Sequence, residues 1–403
     1  MSNTFATSSI VGKTGLAVLK NMLSFTKNVN RDWEDEFASN MSRGYAPGNT
    51  INIKYPPRYT YRVGTVAVPQ STVQTTIPIT LSPGGVDLSV TALQRTTSLS
   101  KLEDILAAAM APIATEIDRQ GCQLAHFSTY NTLNGAGALP TTQALAVQAM
   151  ADVNTKLDQM GTPVKDGNRN FIMNPKLNGA MIQGYAGLFN NADKVSGQYR
   201  TGYMQDSFGL HPGMDQCVDT HTNGAATATN INGAGQTGST ITVVAIAGGT
   251  LARGTVITLP GVFAVNPQTR VTTGVLQDFV VTADAVITAT SISISPAITV
   301  TGAFQNVTAS PTTAAPYVIV GAASTSYGTN VAFHKDAFTL AMVPLWTPPE
   351  GQGVKSSVHS DEGFTITVTE GFDIVNYNNI IRLDVLFGWA APYPQLSCKY
   401  YTV

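Results

Sequence analysis

Apolar residues recur every three or four positions between Ser100 and Phe127, which is the clearest periodic pattern in the chain. This spacing predicts one amphipathic helix of about 27 residues. Ser100 and Glu103 form a capping box at its start, where each side chain satisfies a backbone donor. Because Pro112 removes a backbone hydrogen bond inside this stretch, we expect a kink there or two abutting helices. The predicted apolar stripe comprises Leu102, Ile105, Leu106, Ala109, Ile113, Ile117 and Leu124.

Alternation of apolar and polar residues between positions 51 and 81 predicts a long β-hairpin with its tip between Gly64 and Ser71. Its outgoing arm carries Lys54, Arg58 and Arg62 with tyrosines between them. Such an arm could stack nucleic-acid bases or could pair with acidic groups on a neighbour. We favour acidic neighbours, because the rest of the chain supplies no matching groove for a nucleic acid.

Shorter patterns predict an alternation of helices and strands in the remaining chain, as in a mixed α+β fold. The predicted elements are a turn over 82–85, a strand over 86–90, a helix from Thr141 or Thr142 to Met160, a buried strand over 170–173, a helix begun by Asn174 and Pro175, and a closing hairpin whose strands, 364–375 and 380–389, flank a turn over 376–379.

The composition changes abruptly between positions 222 and 330, where Arg253, Arg270, Asp278 and Asp284 are the only charged residues. Runs of β-branched residues recur there with Gly, Pro and Ala between them. This regularity favours a small inserted β-barrel or sandwich over a disordered segment.

Charge and cysteine usage narrow the class of protein. Charged residues make up 12% of the chain and the net charge is −2, so no basic field indicates a nucleic-acid or membrane partner. Cys122, Cys217 and Cys398 lie too far apart for a disulfide framework, which favours buried thiols in a reducing compartment. We expect synthesis in a cytoplasm, because neither a secretory signal nor a membrane-spanning apolar run is present.

The sequence lacks the usual signatures of chemistry. The five histidines are scattered, and neither the spacing of a zinc protease nor paired cysteines occurs. Gly12-Lys13-Thr14 lacks the upstream glycine of a phosphate loop. His334 and Asp336 could form an acid–base cluster, but a polar strand end is the favoured interpretation. We therefore predict no catalytic, cofactor or metal site and no enzymatic activity.

Three stretches resemble the major capsid proteins of tailed phages, and more specifically the P22-like coat protein family with its HK97-type fold. They are 100–121, 331–340 with Ala-Phe-His-Lys-Asp-Ala-Phe, and 367–389 with Val-Thr-Glu-Gly-Phe-Asp-Ile-Val and Ile-Arg-Leu-Asp-Val-Leu-Phe-Gly-Trp. The resemblance implies an α+β fold in which the helix stripe faces the strands of 364–389. The implied parts are an N-terminal arm (1–48), an extended loop hairpin (49–82), a peripheral domain with a long spine helix (83–139), an axial domain (140–221), an inserted β-rich domain (222–330), and a return to the axial and peripheral domains with the closing hairpin (331–403).

The same resemblance implies a non-enzymatic coat protein whose pentamers and hexamers form an icosahedral shell around double-stranded DNA. Scaffolding and portal proteins, and as a further candidate a decoration protein, are the implied partners, and DNA is contacted without base recognition. The protein would be made in the cytoplasm of a host bacterium and reside in the virion capsid. We expect Arg58, Arg62 and, within the predicted tip, Gln70 to contact neighbouring subunits.

Two other classes stay open at this point. An encapsulin-like shell for a cellular cargo would share the fold, but the long insertion argues against it. A secreted β-rich adhesin or tail component would suit the Thr/Ala/Gly-rich centre, but the missing signal peptide and the well-capped helices count against it.

Overall fold

The computed structural model describes the chain in twelve stretches. They are 23–31, 50–54, 57–62, 64–67, 69–71, 76–91, 102–164, 166–185, 207–347, 354–361, 364–375 and 377–403, with the backbone alone described at 51, 90–91, 102–107 and 361. The predicted capping pair at Ser100 and most of the predicted arm lie outside these residues.

The described residues form a mixed fold with few helices and many strands. The helices are α1 (Leu102–Ser128), α2 (Gln143–Gln159) and α3 (Pro175–Tyr185). The strands are β1 (Thr50–Lys54), β2 (Thr76–Thr80), β3 (Ser82–Thr91), β4 (Thr132–Leu133), β5 (Arg169–Met173), β6 (His211–Met214), β7 (Thr220–Thr222), β8 (Gly238–Thr242), β9 (Val256–Val265), β10 (Thr272–Val281), β11 (Ser291–Ile298), β12 (Val318–Ile319), β13 (Ser326–His334), β14 (Thr339–Val343), β15 (Val354–Asp361), β16 (Phe364–Asp373), β17 (Asn378–Ala390) and β18 (Ser397–Thr402).

The chain divides into two compact units. The first comprises Met1–Lys54, Thr76–Gly121 and Thr339–Ala390, and the second comprises Tyr55–Thr75, Cys122–Phe338 and Ala391–Val403. Helix α1 contributes its first twenty residues to the first unit and its last turns to the second.

The first unit is built on strand β17, which pairs with β14, β16 and β3. Strands β16 and β17 form the predicted closing hairpin, since Asp373 pairs with Asn378 across the turn. One face of β17 is buried at Leu383, Val385 and Phe387, while Arg382, Asp384 and Leu386 on the other face are more exposed. The hairpin was predictable because apolar and polar residues alternate over 364–369 and again over 381–385.

The predicted turn over 82–85 is wrong, because these residues begin strand β3. Ser82 to Gly85 pair with Phe387 to Asp384 of β17. Among the described strands β3 pairs with β17 alone, and an edge strand tolerates Pro83, which has no N–H to donate. Gly85 allows the two backbones to approach, since a Cβ there would lie 2.5 Å from the carbonyl oxygen of Leu383.

Helix α1 is continuous through Pro112, so the alternative of two abutting helices is wrong. In the first unit it packs against β17 at Gly121, where a Cβ would lie 2.7 Å from the indole of Trp389 and 2.8 Å from the ring of Phe25. One turn earlier the buried carboxylate of Asp118 accepts hydrogen bonds from the backbone of the 23–31 segment, at 2.8 Å and 2.9 Å. The helix therefore holds both a sheet strand and the N-terminal segment.

The predicted long hairpin is paired at its base only. Strands β1 and β2 pair from Thr50 opposite Thr80 to Lys54 opposite Thr76. Between 57 and 71 the described residues form no strand, so the prediction of a long hairpin is wrong beyond its base. Side chains bond to the backbone there instead, as shown below.

The second unit contains a six-stranded sheet, β4-β18-β13-β5-β6 with β7 on β13. Helices α2 and α3 pack against it through a shared apolar core that includes Met150, Leu177 and Met181. The predicted helix start at Asn174 is confirmed, because Leu177 N donates to Asn174 Oδ1 at 2.8 Å. Of the two candidate starts of α2, Thr142 is the N-cap, since its Oγ1 accepts from Leu145 N at 3.4 Å. Of the predicted buried thiols, Cys122 and Cys398 are buried, whereas Cys217 is partly exposed.

A five-stranded antiparallel sheet, β12-β9-β10-β11-β8, occupies the segment predicted to be an insertion. Its principal apolar core draws every member from between Ala226 and Tyr317. Closure into a barrel and independence as a domain stay predictions.

Candidate functional site

The loop between β1 and β2 carries the three residues predicted from sequence to contact other subunits. Arg62 donates to the carbonyl oxygen of Val66 at 2.7 Å and also to that of Gly64. Gln70 Oε1 accepts from Thr60 N at 2.8 Å, while Gln70 Nε2 donates to Thr60 O at 2.7 Å. Both side chains therefore shape their own loop, and both are exposed at its surface.

Arg58 faces the insertion instead. Its guanidinium lies over the ring of Phe304, 5.5 Å from the centroid. A second arginine joins it from the β9–β10 turn, where Arg270 Nη2 donates to the carbonyl oxygen of Tyr59 at 3.1 Å. Arg58 and Arg270 thus flank the start of the loop.

The β9–β10 turn positions Arg270 through local bonds that its sequence dictates. Asn266 Oδ1 accepts from Gln268 N at 2.9 Å and from Thr269 N at 3.1 Å, as asparagine does in turns. Arg270 then adopts a left-handed conformation, with φ of 57°, and its backbone N–H donates to Asn266 O at 2.8 Å. In the sequence, Arg270 stands out only as one of four charged residues between 222 and 330, and no site was predicted there. The Asn266-Pro267 pair was the available signal that this charge sits at a turn.

The two arginines line a cleft of about 490 Å³, a volume in the range of ordinary ligand pockets. An adjoining cavity of about 410 Å³ shares Arg58, Met160, Pro267 and Gln395 with it. No aspartate or glutamate occurs among the described residues that line either space. We call the 490 Å³ space the arginine cleft. Its remaining lining residues are Tyr59, Gly161, Pro163, Gln268 and Leu396.

In the first unit, the tip of the β16–β17 hairpin exposes a cluster of large apolar side chains. Ile374 and Val375 are 81% and 90% exposed. The ring of Phe372 packs edge-on against that of Tyr377, with centroids 5.3 Å apart. We call these four residues, together with the half-exposed Ile380, the hairpin tip. Its exposure marks it as an interaction surface.

Buried titratable groups near strand β18 form the most chemically distinctive interior of the second unit. Lys399 Nζ donates to the carbonyl oxygens of His126 at 3.1 Å and Gly254 at 3.4 Å, and burial lowers the pKa of Lys399 to about 7. Burial also lowers the pKa of His221 to about 3. His126 Nδ1 lies 2.6 Å from Asp219 Oδ2, and burial lowers the pKa of His126.

The geometry around His126 suits structure rather than catalysis. Its Nε2 atom is enclosed and faces Gly254, where a Cβ would come within 2.7 Å. A histidine that takes part in acid–base catalysis must reach its substrate, and this nitrogen cannot. His334 likewise ends strand β13 and bonds through Nε2 to Asp166 Oδ2 at 2.6 Å, as expected for a polar strand end.

The described stretches contain no group of three or more His, Cys, Asp or Glu side chains arranged to hold a metal ion. None of their helices has the length and apolar character needed to cross a membrane.

Comparison with solved structures shows the fold. A chain of Mycobacterium phage Che8 is similar, with 13% identity, coverage of 94% of this chain and 90% of that one, and a TM-score of 0.50. A chain from the capsid of cyanophage P-SCSP1u has 11% identity, coverage of 88% and 84%, and a TM-score of 0.42. A chain from the capsid of Ralstonia phage GP4 has 7% identity, coverage of 88% and 83%, and a TM-score of 0.43. Of these three, the first is similar enough to show a shared fold.

Comparison of sequences shows the family. None of the curated proteins matches the chain significantly. Residues 85–398 match the family described as P22 coat protein - gene protein 5, which is well over half of the 403 residues. The matched residues include all three stretches that resemble this family, 100–121, 331–340 and 367–389. This chain therefore belongs to the P22 coat protein family and is the major capsid protein of a tailed phage.

Proposed function

We propose that copies of this chain self-assemble, through pentamers and hexamers, into an icosahedral shell that encloses double-stranded DNA. The hairpin tip is the observation that carries the proposal. Soluble monomers rarely leave such a cluster of large apolar side chains uncovered, and Ile374 and Val375 are almost fully exposed here. Low charge supports packed association, because a net charge of −2 gives little repulsion between copies.

Particle formation by the purified full-length chain tests this proposal. We expect closed shells by negative-stain microscopy from the unaltered chain, and unassembled folded subunits from the double variant Ile374→Asp/Val375→Asp. The matched control is Val286→Asp/Ile287→Asp, which alters two adjacent side chains that are 58% and 55% exposed elsewhere. Normal shells from the tip variant would contradict the role of the hairpin tip. Fibres, or no particles from the unaltered chain, would contradict the shell itself.

We propose that the parts of the coat fold have the bounds that the resemblance implies. Helix α1 acts as the spine of the peripheral domain, 140–221 forms the axial domain, and 222–330 is the inserted domain. Support for the spine comes from the contacts of α1 with both Trp389 and the 23–31 segment. Support for the insertion comes from its own apolar core.

The loop over 49–82 reaches a neighbouring subunit in this proposal, with Arg58 and Arg62 near its acidic groups. The double variant Arg58→Glu/Arg62→Glu should block shells and leave a folded subunit. Because Arg62 also bonds to carbonyl oxygens of its own loop, Arg62→Gln serves as a control for loop shape without charge reversal. Normal shells from the double variant would remove the proposed role of these cations.

The coat family places this chain in the virion capsid. We further propose synthesis in the host bacterial cytoplasm and assembly with scaffolding, portal and decoration proteins. The shell would contact DNA without base recognition, since sequence is read by base-edge contacts rather than by packing. Its function is assembly rather than catalysis.

A further inference from the structure

The arginine cleft carries two positive charges and no acidic side chain among the described residues that line it. Arg270 Nε is enclosed, so a ligand in the cleft would reach Arg270 through its Nη atoms. Arg270 uses Nη2 for one hydrogen bond to Tyr59 O, and the guanidinium of Arg58 lies over the ring of Phe304. Carboxylates pair well with arginine, because they accept two parallel hydrogen bonds from one guanidinium. The cleft therefore suits a ligand with carboxylate groups.

The walls of the cleft add an apolar requirement. Met160, Pro163, Pro267 and Leu396 line it beside the arginines. An aromatic side chain fits such walls and also stacks favourably on a guanidinium. The complementary ligand is thus a peptide with several carboxylates and an aromatic ring between them.

Most carboxylates in the described part of the chain already have partners in the same chain. Their pairings are Asp118 with Thr26, Glu116 with Arg119, Asp158 with Arg169, Asp166 with His334, Asp219 with His126, Asp278 with Lys156, Asp284 with the backbone of Arg253, and Asp87 and Asp384 with Arg382. The densest acidic run in the sequence is Asp32-Trp33-Glu34-Asp35-Glu36. It combines four carboxylates with one indole.

We propose that the arginine cleft binds the Asp32–Glu36 segment of a second copy of this chain. Carboxylates of the segment pair with Arg58 and Arg270, and Trp33 lies against the apolar walls. A second copy is the partner that a coat protein meets at the highest local concentration. The inference rests on the proposed self-assembly and names one of its contacts.

Binding of a labelled peptide to the full-length, unassembled chain tests the site without requiring shells. The probe spans residues 30–38, and its control has Asn and Gln in place of the four acids. We expect the acidic probe to bind, more weakly as salt rises, and the amide control to bind at least tenfold more weakly. Arg270→Gln should weaken binding of the probe by about tenfold or more, because a hydrogen bond between two charged groups is stronger than one between neutral groups.

Arg253→Gln is the matched control, since it removes the same charge from the same segment outside the cleft. Arg253 instead lies over the ring of Phe127, 4.1 Å from its centroid. Binding of the probe should be unchanged in this variant. Equal weakening by both variants, equal binding of both peptides, or no binding at all would each overturn the proposal.

A chain with amides at its own four acids separates a second copy from the same chain as the source of the segment. If the cleft already held the segment of its own chain, this variant would bind the probe at least tenfold more tightly than the unaltered chain, which would overturn the second-copy assignment. Unchanged affinity supports it. Shell formation is scored separately, so that probe binding without shells contradicts the proposed function, whereas shells without probe binding contradict this contact alone.

Discussion

Replacing Lys156 by methionine should destabilise the second unit by about 3–5 kcal/mol, because the substitution leaves a buried carboxylate without its counter-ion. Lys156 Nζ lies 2.7 Å from Asp278 Oδ2, and the two side chains are only 7% and 8% exposed. The same oxygen accepts a hydrogen bond from Thr132 N at 3.1 Å. One backbone donor cannot replace a full positive charge. Lys399 also acts on Asp278, but because its pKa is lowered to about 7 it carries only part of a charge at neutral pH, so most of the penalty should appear.

The double variant Lys156→Met/Asp278→Asn isolates the cause. It removes both charges and keeps an oxygen that can accept from Thr132 N, so we expect it to recover most of the lost stability, since buried pairs often exchange for neutral groups at little cost. The exposed pair of Arg119 and Glu116, at 49% and 47% exposure, provides the control. Arg119→Met should cost less than about 1 kcal/mol.

Urea unfolding of the unassembled chain, followed by circular dichroism, measures these differences from the transition midpoints. The four proteins are compared at one pH and one salt concentration. A loss below about 1 kcal/mol for Lys156→Met would refute the reasoning, because it would mean that water reaches Asp278. A double variant as unstable as the single one would refute it as well, because the cost would then come from packing rather than charge.

Three further predictions concern other parts of the chain. The free energy of unfolding should rise with pH between about 7 and 9. Burial lowers the pKa of Lys399 to about 7, so the folded chain binds this proton less tightly than the unfolded chain does. Lys399→Met should flatten this slope, which thermal melts at a series of pH values measure. Gly121→Ala should lower the melting temperature, because the new Cβ would lie 2.7 Å from an indole carbon of Trp389. Gly179→Ala in α3 is the control: its Cβ would meet nothing within 4 Å, so it should raise stability by about 0.5–1 kcal/mol. Equal shifts of the two melting temperatures would contradict this reasoning. Residues 222–330 expressed alone should give dispersed amide resonances, since their principal core is self-contained, and a collapsed spectrum would refute independent folding.

Local periodicity predicted the elements whose pattern is decided within one segment. Helices α1 and α2 and the β16–β17 hairpin appear close to their predicted bounds, because each buries one regular face. The N-cap of α3 was also predictable, since Asn174 accepts from a donor only three residues away.

The missed features depend on partners distant in sequence. The 82–85 stretch has turn composition, and it becomes a strand because β17 supplies a full ladder of bonds about 300 residues later. The arginine cleft escaped prediction for the same reason, because Arg58 and Arg270 meet only once the insertion has folded beside the loop. Both residues stand out in the sequence as charges in weakly charged stretches, but nothing in the sequence indicates that they lie together.

The two ends of the 222–330 segment lie at paired positions of the six-stranded sheet. The segment leaves after strand β7 and returns at β13, where Thr222 pairs with Ser326 and their hydroxyls lie 2.7 Å apart. Because the two ends are already neighbours, the length between them does not disturb the sheet that holds them. Buried polar contacts join this segment to that sheet and its helices, as in Lys156 with Asp278 and Lys399 with the carbonyl oxygen of Gly254, beside a small apolar cluster of Tyr130, Val256 and Val280. Polar pairs depend on direction as well as distance, so these contacts help to fix the orientation of the segment on the sheet.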